Sequence, residues 1–392
     1  MTEKPRFLRF SAVLLCAVLM LSALCGCGKD RDAGPVLKDK KVMHEQEFGG
    51  VYVDCTIEAL NELGFSYGDS VNVSFSNGYE LKDIPYYNGY YTRNGEALLV
   101  AYPGYPYIKV CINNGDDLWK IAGLDENVTA AISLLQGGKY KDIQEARDIS
   151  YKDDRSEFPS DEVFANFRNV TAGSIKPGRF YRSASPCDNQ HKRAPYVDRL
   201  MEKAGVQFIL DLADTPAKIE GYISASDFDS PYFLSLYRKG MVGLPLNDML
   251  LAGQVEPIGL NMNYGSAEFR EKVAKGLASM AESEGPYLVH CTEGKDRTGF
   301  VCMLIEALCG ATCDEIVDDY MITFSNYYKI TKESDRPRYE TIVENLLVPM
   351  IETVAGTQDI KKADLSIGAE RFLQEGGMSA EQIRMLKAKL TE

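Results

Sequence analysis

Residues 290 to 299 read His290-Cys291-Thr292-Glu293-Gly294-Lys295-Asp296-Arg297-Thr298-Gly299, and the helical run Phe300 to Leu308 follows. Five residues between Cys291 and Arg297 can wrap into a loop whose backbone N–H groups point inward. The following helix aims its positive end at the same centre, so the loop suits a phosphate dianion. The same field favours thiolate over thiol, and cysteines so placed have pKa values of about 3.5 to 7.5 against about 8.5 when free. Cys291 is therefore the candidate nucleophile. Arg297 can offer two parallel N–H donors to phosphoryl oxygens, which Lys cannot do. Gly294 lets the loop turn tightly. Thr298 can donate toward sulfur and help it leave when water cleaves a phosphocysteine. His290 reads as fixing loop geometry rather than shuttling protons. The set arises from composition with odds on the order of one in a few hundred thousand. A buried cysteine beside a surface arginine would leave the other residues unexplained.

These residues resemble the signature His-Cys-x-x-Gly-Lys-Asp-Arg-Thr-Gly of the bacterial branch of the cysteine-dependent tyrosine phosphatases. The resemblance runs from about residue 160 to 390. It includes Asn166-Phe167-Arg168, Pro177-Gly178-Arg179-Phe180-Tyr181-Arg182-Ser183 and, as first core strand, Ile209-Leu210-Asp211-Leu212. Ala213 stands where that family commonly has Arg. The resemblance implies hydrolysis of phosphomonoesters through a phosphocysteine, with no metal or cofactor, by a protein-tyrosine phosphatase of dual-specificity type. It makes Asp296 the general acid, with Asp248 as the alternative and Asp211 and Asp214 as orienting groups. An acid beside a bound dianion should have a raised pKa. Thr292, Glu293, Gly294, Lys295 and Asp211 are the candidate substrate-binding residues. Lys295 suits a multiply phosphorylated substrate, whereas Glu293 would repel one or pair with Lys295. Phosphotyrosine protein ranks first, and phosphoinositide or inositol phosphate second. A non-catalytic phosphate-binding surface lipoprotein is the competing class, though a pure binder needs neither thiol nor acid. Redox chemistry at Cys291 would require a resolving thiol such as Cys302 or Cys187 nearby.

The elements that must position this loop read as α/β. Strands are expected at Val206 to Leu212, near Met241 to Leu246 and at Tyr287 to His290, with a helix over about Ser266 to Glu284. Alternating strands and helices imply a mostly parallel sheet flanked by helices, with the site at strand C-terminal ends. Ile316, Tyr320 and Phe324 mark a helical core face, which assigns Asp318, Asp319 and Tyr320 to solvent and core. Ser379 to Gln382 has a capping-box pattern before a final amphipathic helix. The catalytic domain spans 159–392.

Before it, residues 47–125 form a small β-barrel-like domain, a barrel or sandwich with one helix around Thr56 to Leu63. Asn77-Gly78, Asn88-Gly89, Asn94-Gly95 and Asn114-Gly115 suit hairpin turns. Val71, Val73 and Phe75 alternate with polar residues as in a strand with one apolar face. The run from Gly68-Asp69 through Asn77-Gly78-Tyr79 and Tyr105-Pro106-Tyr107-Ile108 to Asn113-Asn114-Gly115 is faintly similar to the C-terminal β-barrel of SAM hydroxide adenosyltransferases, with no activity implied. Tyr86, Tyr87, Tyr90 and Tyr91 either make a ligand platform or, the favoured reading, pack on the neighbouring domain. Residues 126–158 connect the two domains.

The chain of 392 residues carries 57 acidic against 43 basic residues, net −14. That balance disfavours a broad grip on nucleic acid. Lys4, Arg6 and Arg9 precede the apolar run Phe10 to Leu24, which is shorter than the roughly twenty residues of a spanning helix. The segment ends Leu24-Cys25-Gly26-Cys27 and resembles a bacterial lipobox. Residues 1–27 are thus a lipoprotein signal, Cys27 the lipid attachment and 28–46 a linker, which places the body outside the cytoplasm on a membrane. Seven cysteines remain after Cys16, Cys25 and Cys27, an odd number without zinc-site spacing.

Overall fold

The computed structural model describes residues 34–150, 152–239 and 254–392. The lipobox with Cys27, the strand expected at Met241 to Leu246 and the alternative acid Asp248 lie outside the described residues.

Strands β1 (Val36–Glu45), β2 (Gly50–Val53), β3 (Ser70–Phe75), β4 (Glu80–Tyr87), β5 (Ala97–Val100), β6 (Ile108–Ile112) and β7 (Thr129–Gln136) close into a barrel in the order β1-β2-β6-β5-β4-β3-β7. Alternate residues such as Val51, Val53, Val71, Val73, Ile108, Val110 and Ile132 fill it. The barrel begins inside the stretch read as linker and ends beyond residue 125. The reason is β1 itself. Its inward residues Leu37 and Val42 are separated by Lys and Asp residues, Asp39 has a φ of 52°, and the register with β7 shifts between Leu37 and Lys40. A bulged strand of this kind shows no period-two signal.

Asn77-Gly78 does turn β3 into β4, with Gly78 at a φ of 93°. Asn88-Gly89 and Asn94-Gly95 do not make a hairpin, because β4 and β5 run parallel and the segment between them crosses over. Tyr86 and Tyr87 are buried, while Tyr90 and Tyr91 are half-buried, so no platform of four exposed rings exists.

The second sheet has the order β11-β10-β12-β9-β8, from β8 (Arg168–Asn169), β9 (Phe180–Ser183), β10 (Phe208–Asp211), β11 (Val255–Pro257) and β12 (Tyr287–His290). β10 runs parallel to β11 and β12, β12 runs parallel to β9, and β8 is antiparallel to β9. Phe208, Leu210, Tyr287 and Val289 face a core shared with the helices Ala267–Glu282, Asp296–Leu308 and Leu365–Glu375. Ile209 and Leu288 face the other way, onto the helices Ala194–Ala204 and Pro231–Tyr237. β12 is buried on both faces and delivers its C-terminal end to the loop at Cys291.

Candidate phosphate-binding site

In the loop between β12 and the Asp296–Leu308 helix, the backbone carbonyls from Cys291 to Gly294 are occupied from behind, and that of Lys295 within the helix. The Cys291 carbonyl lies 3.3 Å from His290 Nδ1, which must therefore carry its proton there. The Thr292 carbonyl accepts from Ser185 N–H at 3.1 Å, and that of Glu293 from the Tyr327 hydroxyl at 2.8 Å. The Gly294 carbonyl accepts from both Arg182 Nη2 at 3.0 Å and Asn166 Nδ2 at 3.1 Å. That of Lys295 accepts from Gly299 N–H at 2.7 Å, inside the helix. A peptide unit is planar with C=O and N–H opposed, so carbonyls drawn outward turn the following N–H groups inward.

The donors are themselves fixed. Arg182, 1% exposed, gives Nη1 to Asp319 Oδ2 at 2.7 Å, and Arg168 gives Nε to Asp319 Oδ1 at 2.9 Å. Arg168 Nη1 and Asn326 Nδ2 both donate to Asn166 Oδ1, at 2.8 and 3.0 Å. Burial alone would raise the Asp319 carboxyl, but the charges of Arg168 and Arg182 outweigh it and hold the group far below its ordinary range. This corrects the assignment of Asp319 to solvent: its side chain is only 11% exposed and anchors two arginines. Gly294 has a φ of 67°, and a Cβ there would lie 2.1 Å from the Ser183 carbonyl oxygen. The glycine is thus required by the approach of β9 behind the loop as well as by the turn.

On the open side, Cys291, Thr292, Glu293, Asp296 and Arg297 line a cavity of about 150 Å³ together with Leu260, Asn261 and Met262. Cys291 is a free thiol, 3% exposed. Arg297 Nη2 takes the Thr292 hydroxyl oxygen at 3.3 Å and Nη1 the Leu260 carbonyl at 3.3 Å, which spreads the guanidinium across the cavity. The Thr298 hydroxyl is buried with no hydrogen-bond partner among the described residues. Lys295 Nζ lies 2.9 Å from Asp296 Oδ2 and 3.8 Å from Glu293 Oε2, so its charge is shared with its neighbours' carboxylates.

The Asp296 carboxyl lies below its ordinary range. Burial pushes it up, but Lys295 first, then Arg147 and Arg297, push it further down when no anion sits between them. Against the expectation of a substrate contact, Asp211 is not among the residues that line the Cys291 cavity. It is fully buried below the loop, and its Oδ1 accepts from the Ala213 and Asp214 N–H groups at 2.9 and 3.1 Å. Burial pushes the carboxyls of both Asp211 and Asp214 up to about 6. Burial also pushes His290 down to about 4, which leaves it neutral and suited to holding the Cys291 carbonyl.

Cys187, Asp211 and Asp214 bring one sulfur and two carboxylates within 4.8 Å of one another. Burial pushes the Cys187 and Cys302 thiols upward, which disfavours either as a resolving nucleophile for Cys291. The sequence reading missed Asn166, Arg168, Arg182, Ser185 and Tyr327 as supports of the loop. All but Ser185 lay in segments it had singled out, Tyr327 at the end of the helix that carries Ile316, Tyr320 and Phe324.

A second cavity, of about 760 Å³, opens beside the first and shares Asn261, Met262 and Asp296 with it. Its far wall is the barrel and the Lys141–Arg147 helix. Arg93 pairs with Glu352 at 2.9 Å and Asn94 Nδ2 donates to the Met262 carbonyl at 3.2 Å, which ties the barrel to the second sheet's domain at this point.

Residues 162–392 match the tyrosine phosphatase family. A tyrosine-protein phosphatase of Nostoc commune is 29% identical over 130 residues, covering 28% of this chain and 40% of that protein. Among solved structures, the core catalytic domain of a PP-IP phosphatase from S. cerevisiae, in complex with citrate, is 18% identical with a TM-score of 0.25, over 50% of this chain and 95% of that one. An uncharacterized conserved protein from Thermotoga maritima is 19% identical with a TM-score of 0.21, over 24% of this chain and 35% of that one.

Proposed function

The chain belongs to the tyrosine phosphatase family, and from that premise we propose that it hydrolyses phosphomonoesters at Cys291, with phosphotyrosine protein as its first substrate class. The observation that carries the reading is the set of loop carbonyls from Cys291 to Gly294 held from behind, which turns the loop's N–H groups toward a common centre beside the Cys291 thiol.

A phosphate oxyanion seated there is held by those N–H groups and by the two arms of Arg297. The Cys291 thiolate attacks phosphorus, forming an S–P bond as the P–O bond to the leaving group breaks. Asp296 gives its proton to the departing oxygen. The bound dianion opposes the cations that lower Asp296 and so restores the proton when substrate is present. In the second step Asp296 takes a proton from water, the water oxygen attacks phosphorus, and sulfur departs as thiolate while the Thr298 hydroxyl donates to it. Inorganic phosphate leaves.

A phosphoinositide or inositol phosphate is the second reading, favoured by Arg93, Lys109 and Arg147 on the wall of the larger cavity. We place the body outside the cytoplasm, with residues 1–27 as lipoprotein signal and Cys27 as the lipid attachment, on the strength of the lipobox-like sequence. The test is turnover of a phosphotyrosine peptide and of phosphoinositides by wild-type and Cys291→Ser protein in the presence of a chelator. Turnover lost in the variant supports the mechanism, and the ratio of substrates ranks the two readings. Absence of turnover on either by folded protein would leave a phosphate-binding module instead.

A further inference from the structure

Lys109 lies in the middle of β6, where Ile108 and Val110 point into the barrel and Lys109 points the other way, into the larger cavity. Its side chain is 3% exposed. The ammonium is ringed by Tyr90, Tyr105, Phe48 and Tyr52, whose centroids lie at 5.0, 5.5, 5.8 and 6.0 Å. The rings offset its charge but accept none of its three N–H donors well. The carboxylate beside it is that of Glu45, whose Oε2 is 3.7 Å away, outside hydrogen-bond reach. That carboxylate is already turned to the N–H groups of Glu47, Phe48 and Gly50, at 3.0, 3.1 and 3.4 Å. Among the described residues no acceptor reaches Lys109 Nζ. Glu45 balances the charge of this ammonium, while its N–H donors stay open to an acceptor that enters the cavity.

The cavity into which Lys109 faces is the one that shares Asn261, Met262 and Asp296 with the Cys291 cavity. A phosphoryl group on the loop therefore sends its leaving group toward the barrel. Arg147 stands on the same wall, with its guanidinium 4.9 Å from the Tyr91 ring centre and its charge felt at Asp296. Of the carboxylates on this lining, Asp117 is taken up by His44 at 3.2 Å and Lys120 at 3.1 Å, and Asp296 by Lys295; Glu47 remains on the rim. At about 760 Å³ the space holds more than one aromatic side chain and falls within the roughly 300–1,000 Å³ of sites for small molecules.

We propose that the barrel supplies the second half of the substrate site: Lys109, at the floor of its aromatic box, receives a second anionic group, phosphate or carboxylate, carried on the same molecule as the phosphate bound at Cys291. This rests on the phosphatase reading and narrows its substrates to phosphomonoesters whose leaving part is itself anionic. Two sources share that chemistry, a carboxylate flanking phosphotyrosine in a peptide and a second phosphate on a polyol ring.

The experiment compares kcat/KM within two pairs of substrates, a phosphotyrosine peptide with neutral or with acidic flanks, and inositol monophosphate or bisphosphate. Wild-type protein should favour the doubly anionic member of one pair by about tenfold or more, and that pair identifies the source. Lys109→Met should bring the ratio to near one. Glu45→Gln, which removes the competing carboxylate charge while keeping an acceptor for the local N–H groups, should raise it. The ratio is the readout, so a general loss of folded protein cancels, and the two variants move in opposite directions. A wild-type ratio near one in both pairs, or a ratio that ignores both substitutions, overturns the proposal. Should nothing turn over, the hydrolytic reading fails by itself. The same paired ligands titrated by calorimetry then decide the Lys109 claim: a Kd about tenfold tighter for the second anion, lost in Lys109→Met, supports it, and equal Kd values overturn it.

Discussion

The two sides of the phosphate loop are built on opposite plans. Behind it, each carbonyl has a donor, and Arg182 and Arg168, which hold the Gly294 carbonyl and Asn166, both end on Asp319. Across the cleft, the barrel presents Lys109 with four rings around it and no acceptor among the described residues. The first arrangement is complete before substrate arrives and costs no reorganisation during the reaction. The second pairs its ammonium with Glu45 across 3.7 Å and leaves the N–H donors on the wall of an open cavity. On the proposed reading, the loop handles the phosphoryl group and the barrel selects the remainder of the molecule.

The comparison breaks most visibly at the loop. Arg297→Lys keeps the charge but loses the paired N–H donors, and should lower kcat by about a hundredfold or more on every substrate alike, measured at saturating substrate. Next in size is Asp319→Asn, which leaves two buried guanidinium groups without their charge partner and should cost about 3–5 kcal/mol in denaturant unfolding. If it costs less than about 1 kcal/mol, the loop's rear is not held as described. Tyr327→Phe frees the Glu293 carbonyl alone and should cost about 1–2 kcal/mol with a raised KM for all substrates.

Sharper still is a substitution across the cleft. Arg147 helps to hold Asp296 low, so Arg147→Met lets that acid keep its proton to higher pH, and the alkaline limb of kcat/KM should move upward. A limb that stays in place, or moves down, would show that the barrel side does not reach the acid. The smallest effect lies beneath the loop. Asp214 has its carboxyl raised to about 6, so between about pH 4 and 6 the native protein binds a proton that the unfolded chain has lost, and stability falls as pH rises through that window. Asp214→Asn removes this loss, and the difference in Tm between pH 7.5 and pH 4.5 should become more positive.

How much of this could be read beforehand follows from sequence distance. The strand ending at His290, the loop and the helix after it are contiguous, and periodicity with one dense motif marks them. The Ser379 cap with Gln382 is equally local, and its reciprocal hydrogen bonds are present. Asp319 was taken for a surface residue because its partners lie 137 and 151 positions away, and a single charge on a helix carries no mark of them. Asn166 supports the loop from 128 positions away, in a backbone with a φ of 49° that nothing local announces. β1 escaped because its bulge breaks the alternation. Lys109 escaped for the opposite reason: it sits in an apolar strand where a charge reads as solvent-facing, whereas four aromatic rings of the barrel itself enclose it.

The measurement that bears most directly on the central claim is mass spectrometry of protein quenched in acid during turnover of a phosphotyrosine peptide. The account predicts one phosphoryl group on the peptide containing Cys291 in the wild-type protein, absent from Cys291→Ser, which does not turn over. A phosphoryl group trapped on a residue other than Cys291, or turnover that survives Cys291→Ser, would contradict it.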